Sequence, residues 1–424
     1  MKKVWGCKTP FFFDSAIRTH KIKMKQQKTN NWQIKKLGEV CKIIMGQSPP
    51  SDTYNENAKG MPFFQGKAEF TDLYPVVKKY CSKPTKIAEP LDILLSVRAP
   101  VGTTNIANIQ CCIGRGLAAI RFDNYKYGFY FLRSIQHELD SKGTGTTFRA
   151  ISGETIRETL IPYPNQETQH AIVSKIEELF SELDKGIAEL KTAQLQLKTY
   201  RQSVLKSAFE GKLTNDNVKE GELPDGWKSK SLKGLVLKVE KVKRKEVDEN
   251  EELIYLDIGG INNDSNRIEN YKKFFWKDAP SRAQQIVKQN DILFSTVRTY
   301  MKNIAIVDKE IYNNQIASSG FTVLRADTSV DYKYIYYNTI SDVFLNPLNE
   351  LQTGTSYPAV RDSDVLSQTI NLPSSSEEQH LIVQEIESRL SVADKMEQSI
   401  QESLQKAEAL RQSILKKAFC GELV

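Results

Sequence analysis

Nucleophilic or metal-based chemistry in this chain would have to come from four histidines and six cysteines. The cysteines (Cys7, Cys41, Cys81, Cys111, Cys112, Cys420) show no CxxC spacing and no paired histidines nearby. A zinc site is therefore not expected, and scattered thiols fit a reducing, cytoplasmic setting better than a disulfide frame. His170 and His380 stand at matching places of an internal repeat, which suits a structural role at a helix start. With His20 and His137 they build no Ser–His–Asp or Cys–His arrangement. Ser48-Pro49-Pro50-Ser51 approaches the motif of amino-methylating DNA enzymes but lacks the aromatic that stacks on an extruded base. Gly60 to Ala68 approaches a phosphate loop, yet five residues separate its glycines and Ala68 stands where Ser or Thr is needed. Gly259-Gly260 and Gly114-x-Gly116 read as turns. No catalytic residue and no metal site is expected.

The elements that carry these residues come in two copies. Residues 167–214 and 377–424 align without a gap over 48 positions at a constant offset of 210. Gln-His-x-Ile-Val opens both, and Arg-Gln-Ser-[Val/Ile]-Leu-Lys-x-Ala-Phe-x-Gly-x-Leu closes both. So long a period excludes a solenoid and indicates a duplicated half-protein. Between the copies lie weaker echoes. Trp32 with Leu37 recurs as Trp227 with Leu232, and 91–98 recurs as 290–298 with one inserted residue. GTGTTFRA (143–150) recurs as QTGTSYPA (352–359).

Each repeated segment reads as one long helix. Ile172, Ile176, Leu179, Leu183, Ile187, Leu190, Gln194, Leu197, Arg201, Val204 and Ala208 follow alternating three- and four-residue steps with one stutter, a coiled-coil seam with polar seats. Gly211 and Gly421 suit left-handed helix stops. Such a helix spans roughly 60 Å and must bury its stripe against a partner helix. Duplication within one chain favours antiparallel intramolecular pairing over a simple dimerising coil. The intervening segments read as mixed α/β domains: buried strands at Ile93–Val97 and Ile292–Val297, and Tyr-rich amphipathic helices over 125–135 and 332–344.

The fold class expected is thus α+β: two mixed α/β domains separated by two long antiparallel helices, with an internal pseudo-twofold. The divisions are a basic leader, expected to be disordered (1–30), domain 1 (31–164), helix 1 (165–214), domain 2 (215–372) and helix 2 (373–424). Net charge adds little. The leader carries eight Lys/Arg against one Asp, equal to the whole chain's excess of +7. No run of eighteen apolar residues predicts a membrane span.

The alternation of unlike domains with like helices resembles the specificity subunits of type I restriction–modification systems. So do the twice-repeated closing string, the Asp-Ile-Leu-x-Ser strand ending in Arg, and the Trp-x4-Leu domain opening. The resemblance covers residues 31–424. It implies two target-recognition domains, each reading one half of a bipartite, asymmetric DNA site, with the helices setting the gap. It also implies two modification (methyltransferase) subunits and two restriction (motor–nuclease) subunits as partners. S-adenosylmethionine, ATP and Mg would reside in those partners, with no cofactor in this chain. Members usually begin near the Trp-x4-Leu element, so residues 1–23 would be an extension or a start at the wrong methionine, with Met24 the natural one.

Candidate DNA-binding residues are the loop side chains beside the repeated motifs. In the first domain these are Gln65, Lys67, Arg98, Thr104, Arg115, Thr146, Thr147 and Arg149. In the second they are Arg298, Tyr300, Lys302, Ser318, Ser319, Thr355, Ser356 and Tyr357. Each has a plainer alternative: Arg98 and Arg298 could cap the strand through Asp92 and Asp291, and the Thr-Gly-Thr loops could be mere turns. Gln65 and Lys67 could be solvated loop residues. Phe180, Phe209 and Phe419 are candidate anchors for a methyltransferase partner, or else core residues. Two rival functions remain open: a stand-alone sequence-specific DNA-binding regulator, and a coiled-coil scaffold with no role on DNA.

Overall fold

The computed structural model describes residues 32–145, 149–215, 217–219 and 221–424. The expected leader, Thr146 and Thr147 lie outside the described residues. The chain forms two compact units. One runs to Leu190 and takes in Glu402–Val424; the other is Lys191–Gln401.

In the first unit, strands Lys42–Met45, Leu117–Arg121, Ile93–Ser96 and Thr104–Ile106 form an antiparallel sheet in that order. Ile93–Ser96 is buried throughout because it is central and covered on both faces. A second sheet orders Tyr54–Asn55, Lys79–Cys81, Met61–Phe64, Cys111–Ile113 and Ile87–Ala88, with Met61–Phe64 parallel to Cys111–Ile113. Gln33–Lys36 pairs Leu160–Tyr163, so the domain's two ends meet. Helix Tyr125–Ser134 packs on the first sheet, and Tyr127 donates its hydroxyl proton to the Pro162 carbonyl at 2.6 Å.

The second unit repeats the plan. Its first sheet orders Val236–Leu237, Phe321–Ala326, Ile292–Ser295 and Ile304–Ile306. Its second orders Lys272–Phe275, Glu252–Leu256, Ile316–Ser318 and Ala283–Ile286, again with one parallel pair. Lys228–Ser231 pairs Thr369–Leu372, and Tyr334 on helix Tyr332–Thr339 reaches the Asn371 carbonyl at 2.7 Å. Leu37 and Leu232, the leucines of the Trp-x4-Leu echo, are both fully buried. Both central strands stop one or two residues before the sequence predicts. Ser96 and Ser295 turn their hydroxyls onto the carbonyls two residues ahead, at 2.9 and 3.0 Å, and bend the chain there.

The repeated segments form helices Gln166–Phe209 and Ser376–Phe419, 44 residues each. The Asn165 side chain caps the first through the Thr168 N–H, and Ser375 caps the second through the Glu378 N–H. Both end at a left-handed glycine, Gly211 (φ 76°) and Gly421 (φ 71°). The N–H of Lys212 bonds the Ser207 carbonyl, and that of Glu422 the Lys417 carbonyl, the Schellman closure in both copies. Every residue of the expected seam from Ile172 to Ala208 is buried or half-buried.

Within each unit the two helices run antiparallel, and their ends complete the domain's core. In the first, Ile172, Val173, Ile176 and Phe180 join Ile414, Leu415, Ala418 and Phe419 beneath Tyr127 and Phe131. In the second, Leu205, Ala208 and Phe209 join Ile382, Val383 and Ile386 beneath Tyr334 and Ile335. Among the described residues no helix is long and apolar enough to cross a membrane, and no His/Cys/Asp/Glu cluster suits a metal.

Candidate nucleic-acid interface

The same scaffold holds one loop cluster in each domain. At the start of the central strand a buried aspartate anchors the sheet. Asp92 takes Nε and Nη2 of Arg121 at 2.7 and 2.8 Å, and Asp291 takes those of Arg325 at 2.8 and 2.7 Å. These bonds raise the pKa of both guanidinium groups, against burial, which lowers it. The plainer alternative, that Arg98 and Arg298 cap the strand through Asp92 and Asp291, does not hold. They sit at the opposite end of the strand, roughly 20 Å of extended chain away, while the neighbouring strand ends with its arginine beside the aspartate.

At that opposite end three loops converge. In the first domain the Val97 N–H bonds the Gly116 carbonyl at 2.9 Å, and the Ile151 N–H bonds the Val97 carbonyl at 3.0 Å. Arg98 bridges Ala150, and the Ala99 N–H bonds the Arg149 carbonyl at 3.0 Å. Gly116 admits the Gln65 backbone so closely that a Cβ there would lie 2.3 Å from the Gln65 carbonyl oxygen. Gln65, Arg98, Arg115 and Arg149 are thus brought together, all exposed, with Lys67 exposed one turn beyond. Arg149 lies 3.6 Å from Asp140, a loose and solvated pair.

Thr104 does not join them. It is buried and its hydroxyl accepts from Arg133 Nε at 3.4 Å, because its strand position faces the helix rather than the loops. Burial lowers the pKa of Arg133, whose guanidinium also stacks 4.4 Å from the Phe129 ring.

In the second domain the corresponding bonds run from the Thr296 N–H to Gly320, the Val360 N–H to Thr296 and the Arg298 N–H to Pro358, with Val297 bridging Ala359. Matching these to the first domain aligns Val97 with Thr296, Arg98 with Val297 and Ala99 with Arg298. The two arginines that the sequence aligns therefore occupy different backbone positions. The inserted residue falls within the turn, since Ser96 N–H meets Thr103 while Ser295 N–H meets Asn303.

Arg298 adopts φ 50° and ψ 57°, and Lys302 adopts φ 54° and ψ 39°, left-handed conformations that frame the turn. Arg298 Nη2 donates to the Ser356 carbonyl at 3.1 Å, and its Cζ lies 5.0 Å from the centre of the Tyr357 ring. Tyr300, Thr355, Ser356 and Tyr357 are exposed around it, with Ser319 on the adjoining loop. Two candidates are otherwise engaged. Lys302 is held by Asp342 at 2.7 Å, and Ser318 is buried, accepting the Gly320 N–H at 3.2 Å. Arg282, which sequence reasoning missed, is exposed beside Ser319, whose N–H bonds its carbonyl at 2.8 Å. It belongs to no repeated motif, so only the pairing of Ala283 with Ser318 reveals it.

The three phenylalanines considered as partner anchors are buried in the chain's own cores. Phe180 meets Tyr130 edge-on, Phe209 meets Tyr334, and Phe419 meets both Tyr127 and Phe131, with centroids 5.2–5.8 Å apart. Their rings close the seat between helix end and domain, so the core alternative describes them.

Comparison with known proteins agrees with this architecture. The model of the type I restriction modification DNA specificity domain matches residues 29–192 and again 224–406. A putative type I restriction enzyme MjaX specificity subunit from Methanocaldococcus jannaschii is 39% identical over 189 residues, 43% of this chain and 44% of that relative. The chain thus spans less than half the length of that relative. The EcoBI specificity subunit of Escherichia coli is 25% identical over 93% of this chain and 86% of its own length. Among solved structures, the HsdS subunit from Thermoanaerobacter tengcongensis shares the fold, with a TM-score of 0.56 at 20% identity over 93% of this chain and 98% of that one.

Proposed function

Because the chain belongs to the type I restriction modification DNA specificity family, we propose that each of its recognition domains reads one half of a bipartite, asymmetric DNA site. One observation carries the proposal. The same scaffold presents the same three loops twice, but with different side chains and, at Arg98 and Arg298, different backbone positions. A repeated frame gives two comparable approaches to a duplex, and unlike loops give unlike base contacts. In this reading the paired helices fix the gap between half-sites and carry the docking faces for methyltransferase subunits. Methyl transfer, with S-adenosylmethionine, and ATP- and Mg-dependent cleavage belong to partner subunits, and this chain chooses where they act.

The test is co-expression with a modification subunit in a host free of adenine methylation, followed by methylome sequencing. The expected result is one bipartite motif with unlike halves, and no methylation from the chain alone. Methyl transfer by the purified chain would refute the adaptor role. Tight binding to a bipartite site with no requirement for a methyltransferase would instead favour a stand-alone regulator.

A further inference from the structure

Building on the reading that the second domain contacts one half-site, we infer that Arg298 reads a guanine there, its guanidinium held flat by Tyr357. The residue bears two local costs. A left-handed backbone is unfavourable for a non-glycine residue, and among the described residues Arg298 Nε is buried without a hydrogen-bond partner. Costs of this kind persist where the surroundings over-determine a conformation, and here they do. The Arg298 N–H is fixed to the Pro358 carbonyl at 2.7 Å, Nη2 to the Ser356 carbonyl at 3.1 Å, and Cζ lies over the Tyr357 ring, 5.0 Å from its centre.

Tyr357 is 72% exposed, so the platform lies at the surface with the cation on it. Ser356 takes one of the five guanidinium donors, and the Nη1 edge has no partner among the described residues. The turn's other cation, Lys302, is committed to Asp342. A phosphate needs only positive charge and tolerates a mobile side chain. A planar fork in fixed orientation matches the O6 and N7 acceptors of guanine in the major groove. The first domain has alanine, Ala99, at the equivalent backbone position, so this contact belongs to the second half-site alone.

The experiment compares methylomes from hosts carrying the modification subunit with the parent chain, Arg298→Lys or Tyr357→Ala. Arg298→Lys keeps the charge and loses the fork. It should relax one G·C position of one half-site by roughly 10- to 100-fold in discrimination and leave the other half-site unchanged. Tyr357→Ala removes an exposed ring outside the core and should relax the same position by a smaller factor. An unchanged motif in both variants overturns the assignment. So does a uniform loss of methylation with the motif intact, the signature of a phosphate contact. Relaxation at an A·T position also overturns it. A parent chain that directs no bipartite motif would instead refute the proposed function.

Discussion

Arg201 on the first long helix grips Asp394 on the second, Nη1 to Oδ1 at 2.5 Å, and reaches Glu397 with Nη2 at 2.9 Å. Moving both partners by the repeat offset of 210 turns this pair into Asp184 and Arg411, which also form an ion pair. One Arg–Asp clasp is therefore made twice, with the donor on opposite helices. Arg411 adds a stack over the Phe180 ring at 4.8 Å.

This clasp should contribute modestly to stability. Asp394 is 68% exposed, so solvent screens most of the attraction. A double-mutant cycle on Arg201→Ala and Asp394→Ala, read by chemical denaturation, should give a coupling of about 0.2–1 kcal/mol that falls with added salt. A coupling above about 2 kcal/mol would contradict the screening argument.

The buried aspartates should matter more, and unequally. Asp92 and Asp291 are both 1% exposed, but Arg121 is 39% exposed and Arg325 only 15%. Breaking a buried pair costs about 3–5 kcal/mol when it strands a charge. Asp291→Ala should approach that range, whereas Arg121 can turn to water after Asp92→Ala and limit the loss. Equal destabilisation in urea melts would show that exposure of the arginine does not govern the cost.

Alkaline pH should loosen the first domain, in part through its thiols. Burial pushes Cys41 and Cys111 up to about 12 from the ordinary 9.0. A folded pKa above the unfolded one gives stability that is complete below about 9 and declines as pH rises towards 12. Denaturation midpoints should therefore fall across that window, and Cys41→Ser with Cys111→Ala should flatten the fall. Native protein at pH 8 should leave both thiols unmodified by iodoacetamide until it unfolds.

If the helices act as a ruler, lengthening both should change the gap and nothing else. Seven residues added to each, opposite one another, preserve the seam's phase and add about 10 Å. The methylated motif should keep its bases and gain about two to three base pairs between half-sites. Altered bases would refute independent reading.

The ungapped repeat made the helices legible, down to the seam and the glycine stops, since helical packing imposes a short period that survives in one sequence. The loop clusters were harder. The sequence shows one inserted residue between 91–98 and 290–298 but not on which side of the arginine it lies, so Arg98 and Arg298 look equivalent. Only the bonds from Ala99 to Arg149 and from Arg298 to Pro358 reveal the displacement. Asp92 likewise finds its partner 29 residues away on a neighbouring strand, a pairing no local pattern announces. Thr104 and Ser318 match the polar character of a reading residue, yet their register turns them inward.

The seating of each domain on two helix ends has a consequence for biogenesis. The first domain's core needs Ile414, Leu415, Ala418 and Phe419, about 240 residues after Ile172. At about 5–20 residues per second, a ribosome takes on the order of 10–50 s to deliver them. During that interval Tyr127, Phe131 and the helix stripe lack their cover, so the nascent chain carries an open apolar seat that a chaperone would have to shield. The second domain, whose helix segments both flank it closely in sequence, can close first. Assembly would then run backwards along the chain: the half translated later closes first, while the earlier half still awaits Ile414 to Phe419.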